Sequence, residues 1–384
     1  MKKLFNIFLQ EWKFMFKEKG VVLIFFIAPL LYPFLYSFVY KNEVVREIPM
    51  AVVDLSASSE SRDYLRKINS APEVEIATYC SSLNEATELF KNQTVRGILV
   101  IPSDFSENIN TGKQSFVSGY FDMGSFIYYK NMMTVVSMVS KEYGMGISEH
   151  NLAAAGLSDK EIETIAAPLP YEGIPLFNSS NGFASFLLPA VFILILYQTL
   201  MLGIGMLGGI NNEERIFEKD IKDNGIMVSV AGRALCYFSL YIIWAAYMLW
   251  FIPRIFNLPQ IGNQFDLFLF IIPFLLSTTF LAMTISVTFR SMERPFLILL
   301  FMTLPLLFLA GVSWPQSNIP AFWKVVGYLF PSTHGIQGYV RINTMQANLT
   351  EVGFELSFLW VLSAFYFITA CISYKIKSIQ KIEI

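Results

Sequence analysis

The chain has 384 residues, of which 54% are hydrophobic and only 15% charged, with a formal net charge of −2 and a mean hydropathy of +0.50. Soluble domains carry about 25% charged residues, so this composition describes an integral membrane protein and not an ordinary soluble enzyme. Without a basic excess there is no reason to expect nucleic acid as a partner, and three scattered cysteines (Cys80, Cys236, Cys371) do not make a disulfide framework.

Residues 1–19 read as a cytoplasmic amphipathic interfacial helix. Leu4, Phe5, Phe8, Trp12, Phe14 and Phe16 stand among Lys2, Lys3, Lys13, Lys17 and Lys19, the pattern of a helix lying in a membrane surface with its apolar face down. Val21 to Tyr40 then carries no charge at all. At about 1.5 Å per residue this stretch covers the roughly 30 Å hydrocarbon core. No small-x-small cleavage pattern follows, so residues 20–40 are expected to be a retained transmembrane helix and not a signal peptide.

Residues 41–182 have the texture of a water-exposed α/β domain. Strands are expected at Ile48–Leu55, Val74–Tyr79, Arg96–Ile101 and Phe116–Phe121. Helices are expected over Ser59–Asn69, from a capping box at Ser82 and Glu85 through Phe90, and over Ser125–Glu142, with a further short helix capped by Ser158 and Glu161. Strands and helices that alternate in this way build βαβ units. Gly112-Lys113 is not a P-loop, because the upstream glycine is missing and Gln114 replaces Ser/Thr.

Residues 183–376 form a membrane domain with five more apolar segments, about Phe183–Met206, Val228–Ile252, Leu267–Phe289, Phe296–Trp314 and Leu356–Tyr374, followed by a tail at 377–384. The fold class expected is therefore an α-helical polytopic membrane protein with six transmembrane helices, a re-entrant hairpin before the last, and an extracytoplasmic α/β domain. With the N-terminus inside, the inner short segments hold thirteen basic residues: the five N-terminal lysines, Arg215, Lys219, Lys222, Arg290, Arg294, Lys375, Lys377 and Lys381. The outer ones hold three, Arg254, Lys324 and Arg341. The positive-inside rule then puts both termini in the cytoplasm and the 41–182 domain outside.

The span interiors hold almost no ionisable residue; Arg233, Asp266 and Glu355 lie near span ends. Ion-coupled carriers need intramembrane carboxylates, so an ion-driven mechanism is disfavoured. The loop at 207–227 is charged, with Glu213, Glu214, Arg215, Glu218 and Lys219 around Phe217 and Ile221, which share a helical face. Such a stripe suits docking on a soluble partner as well as it suits a solvated loop. The 314–340 segment is aromatic and broken by prolines. Irregular backbone at membrane depth survives only when buried in protein or facing a cavity, so this segment is read as a re-entrant hairpin, with an interfacial loop as the plainer alternative. Gly203, Gly205, Gly208 and Gly209 would permit close helix approach, and simple packing or a helix end explains them equally well. No Cys/His/Asp cluster has metal spacing, and neither a metal nor a cofactor is expected.

The series Gly311-Val312-x-Trp314-Pro315, Ile319-Pro320, Phe330-Pro331 and Arg341, in the same expected hairpin segment as Trp323, resembles the C-terminal signature of ABC-2 type transporter permeases, and the layout resembles their subfamily with a large extracytoplasmic domain between the first two spans. The resemblance implies the permease subunit of an ABC exporter in a bacterial inner membrane, without catalytic activity of its own. It also implies as partners a separate cytoplasmic ABC ATPase and a second permease subunit, identical or related, with room for a periplasmic adaptor. It assigns ATPase coupling to Glu213, Glu214, Arg215, Phe217, Glu218, Lys219 and Ile221, although the Gly-Thr that often follows the family's Glu-Arg pair is absent here. The competing reading is a membrane receptor or assembly scaffold whose outer domain binds a ligand.

Overall fold

The structure, a computed structural model, describes residues 2–166, 169, 173–174, 176–178, 182–214 and 221–380. It divides into two units: residues 1–43 with 175–384, and residues 44–174.

The second unit is a four-stranded sheet in the order β2-β1-β3-β4, from β1 (Ile48–Asp54), β2 (Val74–Tyr79), β3 (Gly97–Ile101) and β4 (Ser118–Phe121). The first three strands are parallel, and β4 runs antiparallel to β3. Strand periodicity explains the layering. Ile48, Met50 and Val52 face one side with Leu99, Ile101, Tyr64 and Ile68, while Ala51 and Val53 face the other with Ile98 and Ala86. The helices are α3 (Ser59–Asn69), α4 (Leu83–Lys91), α5 (Phe105–Asn110), α6 (Phe126–Ala154) and α7 (Asp159–Ala166). Strand β4 starts two residues later than its pattern predicts, because β3 ends at Ile101 and Val100↔Ser118 is the last pair the ladder offers. Helix α6 outruns its apolar pattern, continuing to Ala154. At Ser82 the box is half-built. The hydroxyl accepts the Glu85 N–H at 3.3 Å, but the Glu85 carboxylate takes the N–H and hydroxyl of Ser81, each at 2.8 Å. A full capping box instead opens α3, between Ser58 and Ser61.

The first unit holds α1 (Lys2–Met15), α2 (Lys19–Val39), α8 (Phe183–Glu214), α9 (Ile226–Ile255), α10 (Gln264–Ser286), α11 (Arg294–Leu309), α12 (Ala321–Tyr328), α13 (Pro331–Met345) and α14 (Gly353–Gln380). Among the described residues, α2, α8, α9, α10 and α14 are long and apolar enough to cross a membrane. The fifth expected span, Phe296–Trp314, is the 16-residue α11, which falls short of that length. Helix α8 is apolar on all sides and almost wholly buried, and so forms the centre of the unit. Helices α2, α11 and α14 keep apolar outer faces, as with Leu31, Phe301 and Ile368.

Two wide turns interrupt the ladders of α2 (Leu23–Ile27) and α9 (Tyr247–Phe251). In hydrocarbon a loosened carbonyl needs a partner. Trp244 donates its indole N–H to the Phe25 carbonyl at 2.8 Å, and the Tyr247 hydroxyl donates to the Leu30 carbonyl at 3.0 Å. Glu43, where the chain leaves this unit, is pinned to the start of α8. The Phe183 N–H donates to the Glu43 carbonyl at 2.9 Å, and the Ser185 hydroxyl donates to the Glu43 carboxylate at 2.7 Å.

Candidate functional site

Two sets of residues stand out, at opposite ends of the helices. The first surrounds α1. Phe5 of its aromatic face and Phe16 just beyond its end stay exposed, while a second face is covered. Ile7, Glu11 and Met15, spaced by four, are buried together on the side that packs against α9. Gly232 makes this approach possible, since a side-chain carbon there would lie 3.0 Å from Ile7 and 3.1 Å from the Leu4 carbonyl oxygen. The result is a buried polar cluster. Arg233 Nε lies 3.5 Å from Glu11 Oε2, and both side chains are at least 95% buried. The Tyr237 hydroxyl donates to Glu11 Oε1, and buried Tyr374 of α14 lies within electrostatic reach of both charges. A buried carboxylate and guanidinium are costly unless paired and hydrogen-bonded, and here each serves the other.

The same end carries the charged segment. Helix α8 runs through Glu214, so residues 207–214 of the expected loop are helical. The described chain resumes with a helical turn at 221–224 before Gly225, whose φ of 84° breaks the helix ahead of α9. Glu213 and Glu214 are exposed, and Ile221 packs against the core. Arg215, Phe217, Glu218 and Lys219 lie outside the described residues. Lys3, in the first turn of α1, and Lys17, two residues beyond its end, contact the flanks of this segment. Lys17 Nζ lies 2.9 Å from the Glu214 carboxylate, and Lys3 Nζ donates to the Asp223 carbonyl at 3.3 Å. Asn212 ties α8 to the chain just after α10, its amide donating to the Val287 and Phe289 carbonyls at 3.1 and 2.7 Å.

The second set is the Pro-rich segment. Gly311 (φ 85°) ends α11, Pro315 precedes a short turn at Gln316–Asn318, Pro320 caps α12 and Pro331 starts α13. Pro is favoured at such helix starts because its missing N–H would be unpaired there anyway. Trp314 and Trp323 are exposed. Helix α12 folds back on the end of α11, with Gly327 against Leu309. Helix α13 is mostly buried and is tied by Gln337, which donates to the Ala310 carbonyl at 3.1 Å. Arg341 pairs with Glu355 at 2.8 Å and donates to the Glu351 carbonyl at 2.7 Å. A cavity of about 560 Å³ opens here, with Phe186, Gly311, Gln337, Arg341 and Glu355 among its walls.

The structure thus groups Glu213, Glu214 and Ile221 at one end and Gly311, Trp314, Pro315, Pro320, Trp323 and Pro331 at the other. The residues that sequence reasoning missed are Glu11, Tyr237 and Tyr374. A signal for Glu11 existed, since a lone carboxylate occupies the position between Ile7 and Met15 on the apolar face of α1.

A sequence model of the ABC-2 family transporter proteins matches residues 19–372. ABC transporter G family member 20 of Dictyostelium discoideum is 23% identical over 323 residues, which are 82% of this chain and 42% of that protein. The chain therefore spans less than half the length of this relative. A match over nearly the whole chain, from the first span to the last, places it: the protein belongs to the ABC-2 family of transporter membrane proteins.

Proposed function

We propose that this chain is the permease subunit of an ABC exporter, that a separate cytoplasmic ATPase supplies the work, and that a second permease subunit completes the pathway. The observation that carries this reading is the contact of α1 and the residues just after it with the charged segment through Lys17–Glu214 and Lys3–Asp223. A push on exposed Glu213 and Glu214 is thereby passed to α1, and through Glu11 and Arg233 into α9. Rigid elements with two arrangements can relay such a push across a bundle.

In this reading the charged segment faces the cytoplasm, as the distribution of basic residues favours. Helix α11 acts as a sixth crossing. It starts beside Gly205 of α8, where an added side-chain carbon would first meet Pro295, and is followed by Ala310 beside Gln337. Residues 44–174 lie outside, and α12 with α13 forms a re-entrant pair at the exit. The relative's printed name, ABC transporter G family member, agrees with ATP-driven transport.

Co-expression with candidate ABC ATPases tests the reading. The complex is expected to co-purify and to hydrolyse ATP. The double charge reversal E213K/E214K is expected to abolish stimulation of the ATPase by this subunit while the protein stays folded. Full stimulation by that variant removes the coupling role.

A further inference from the structure

In the 44–174 unit, a cleft of about 540 Å³ lies between the chain at 112–117 and the second half of α6. That volume falls within the range of pockets that hold small organic ligands. Its floor is apolar: Tyr64 and Phe105 are buried, and Ile109, Phe116 and Ile147 complete the walls. Several of its hydroxyls are already engaged within the protein. Tyr64 and Ser140 share a hydrogen bond of 2.7 Å, and Tyr143 donates to the Glu60 carbonyl at 3.0 Å. The nearby Glu60 carboxylate is taken up by Ser106 at 2.8 Å and Asn110 at 3.4 Å.

Lys113 is the only lining residue charged at neutral pH, and it makes no ion pair among the described residues. Ser115 Oγ is buried in the wall with no partner among the described residues, and native interiors rarely leave a buried hydroxyl unmet. Gly144 adds an independent observation. It sits inside α6, where glycine weakens a helix, yet a side-chain carbon there would meet nothing within 4 Å. No neighbour requires this glycine, and it leaves the cleft open.

We propose that this cleft binds an acyl-chain amphiphile with a single anionic head, the chain on the Tyr64–Phe105 floor against Ile109 and Phe116 and the head at Lys113. One cation at the rim of an apolar slot, with no carboxylate among the lining residues, selects an anion over a cation, and the apolar floor selects a chain over a free ion.

The full-length protein in phosphatidylcholine nanodiscs is photolabelled with a palmitate diazirine, and cross-links are mapped by mass spectrometry. Labelling of the peptides that contain Phe116 and Ile147 is expected to exceed that by the matching acyl alcohol or acyl ammonium about tenfold, the worth of one charge-assisted contact. G144A is expected to retain labelling, while G144W, which fills the open space, and K113E are expected to lose it. Displacement by unlabelled oleate identifies a free fatty acid as the occupant, and displacement by lysophosphatidate identifies a lipid phosphate head. Displacement by neither, equal labelling by the alcohol or ammonium probe, or full labelling of a folded G144W protein overturns the proposal.

Discussion

Glu11 and Arg233 meet inside the first unit, Nε to Oε2 at 3.5 Å, and join the N-terminal helix to the second turn of α9. Neither charge has water to fall back on, so the pair behaves as one element. Removing one partner strands the other, at a cost of roughly 3–5 kcal/mol. E11A and R233A are each expected to lower the thermal unfolding midpoint in detergent by many degrees. The double variant E11Q/R233M, of similar volume, is expected to recover most of that loss. Single variants as stable as the parent would mean that the pair holds nothing together.

Lys17–Glu214 is the contrasting case. Both side chains are about half exposed, at 54% and 41%, and an exposed pair contributes only about 0–1 kcal/mol. K17E is therefore expected to leave the unfolding midpoint almost unchanged while reducing the stimulation of a partner ATPase. The exchange K17E/E214K is expected to restore stimulation, because the contact is rebuilt with its signs reversed. Stimulation that ignores both variants would separate α1 from coupling.

Gly208 and Gly144 test what glycine does in two helices. A side-chain carbon at Gly208 of α8 would lie 2.6 Å from the Ser286 carbonyl oxygen, a backbone atom that cannot rotate away. G208A is expected to destabilise by about 1–3 kcal/mol through overpacking. G144A faces open space and is expected to stabilise α6 by about 0.5–1 kcal/mol through helix propensity alone. Thermal unfolding of the two variants side by side reads both signs.

Glu60 of α3 ties its carboxylate to Ser106 and Asn110 of α5. Its own backbone N–H, then the hydroxyls of Ser106 and Ser59, hold its carboxyl at about 2, below the ordinary 4.5. A depressed folded value means that ionised Glu60 stabilises the fold. That contribution is full above about pH 4.5 and is lost as pH falls toward about 2. E60Q is expected to weaken hydrogen-exchange protection in α3 and α5 at pH 7, and the gap from the parent is expected to narrow as the pH drops through that window. A gap that stays constant with pH would assign the effect to side-chain size and not to charge.

Periodicity and capping chemistry are local, and so they were legible. The alternation at Val74–Tyr79, the face made by Tyr64, Leu65 and Ile68, and the uncharged run from Val21 each announce their element without reference to any distant residue. The family signature around Trp314-Pro315 and Phe330-Pro331 was legible for the same reason: its prolines and glycine act on their own backbone. Hydropathy also told which helices are apolar, because each span meets much the same surroundings along its length.

Tertiary packing alone decided which groups meet. The Tyr237 hydroxyl reaches Glu11 across 226 positions of sequence, and nothing near either residue encodes the other. In the sequence Arg233 is a charge near a span end and Glu11 a lone carboxylate in an amphipathic helix. Packing Gly232 against Leu4 and Ile7 made them a single buried cluster. Hydrophobic patterning states how much of a face must leave water, but it is indifferent to which apolar face covers it. Shape, close approach at glycine and the need to pair every buried charge make that choice, and they act only once the helices are together.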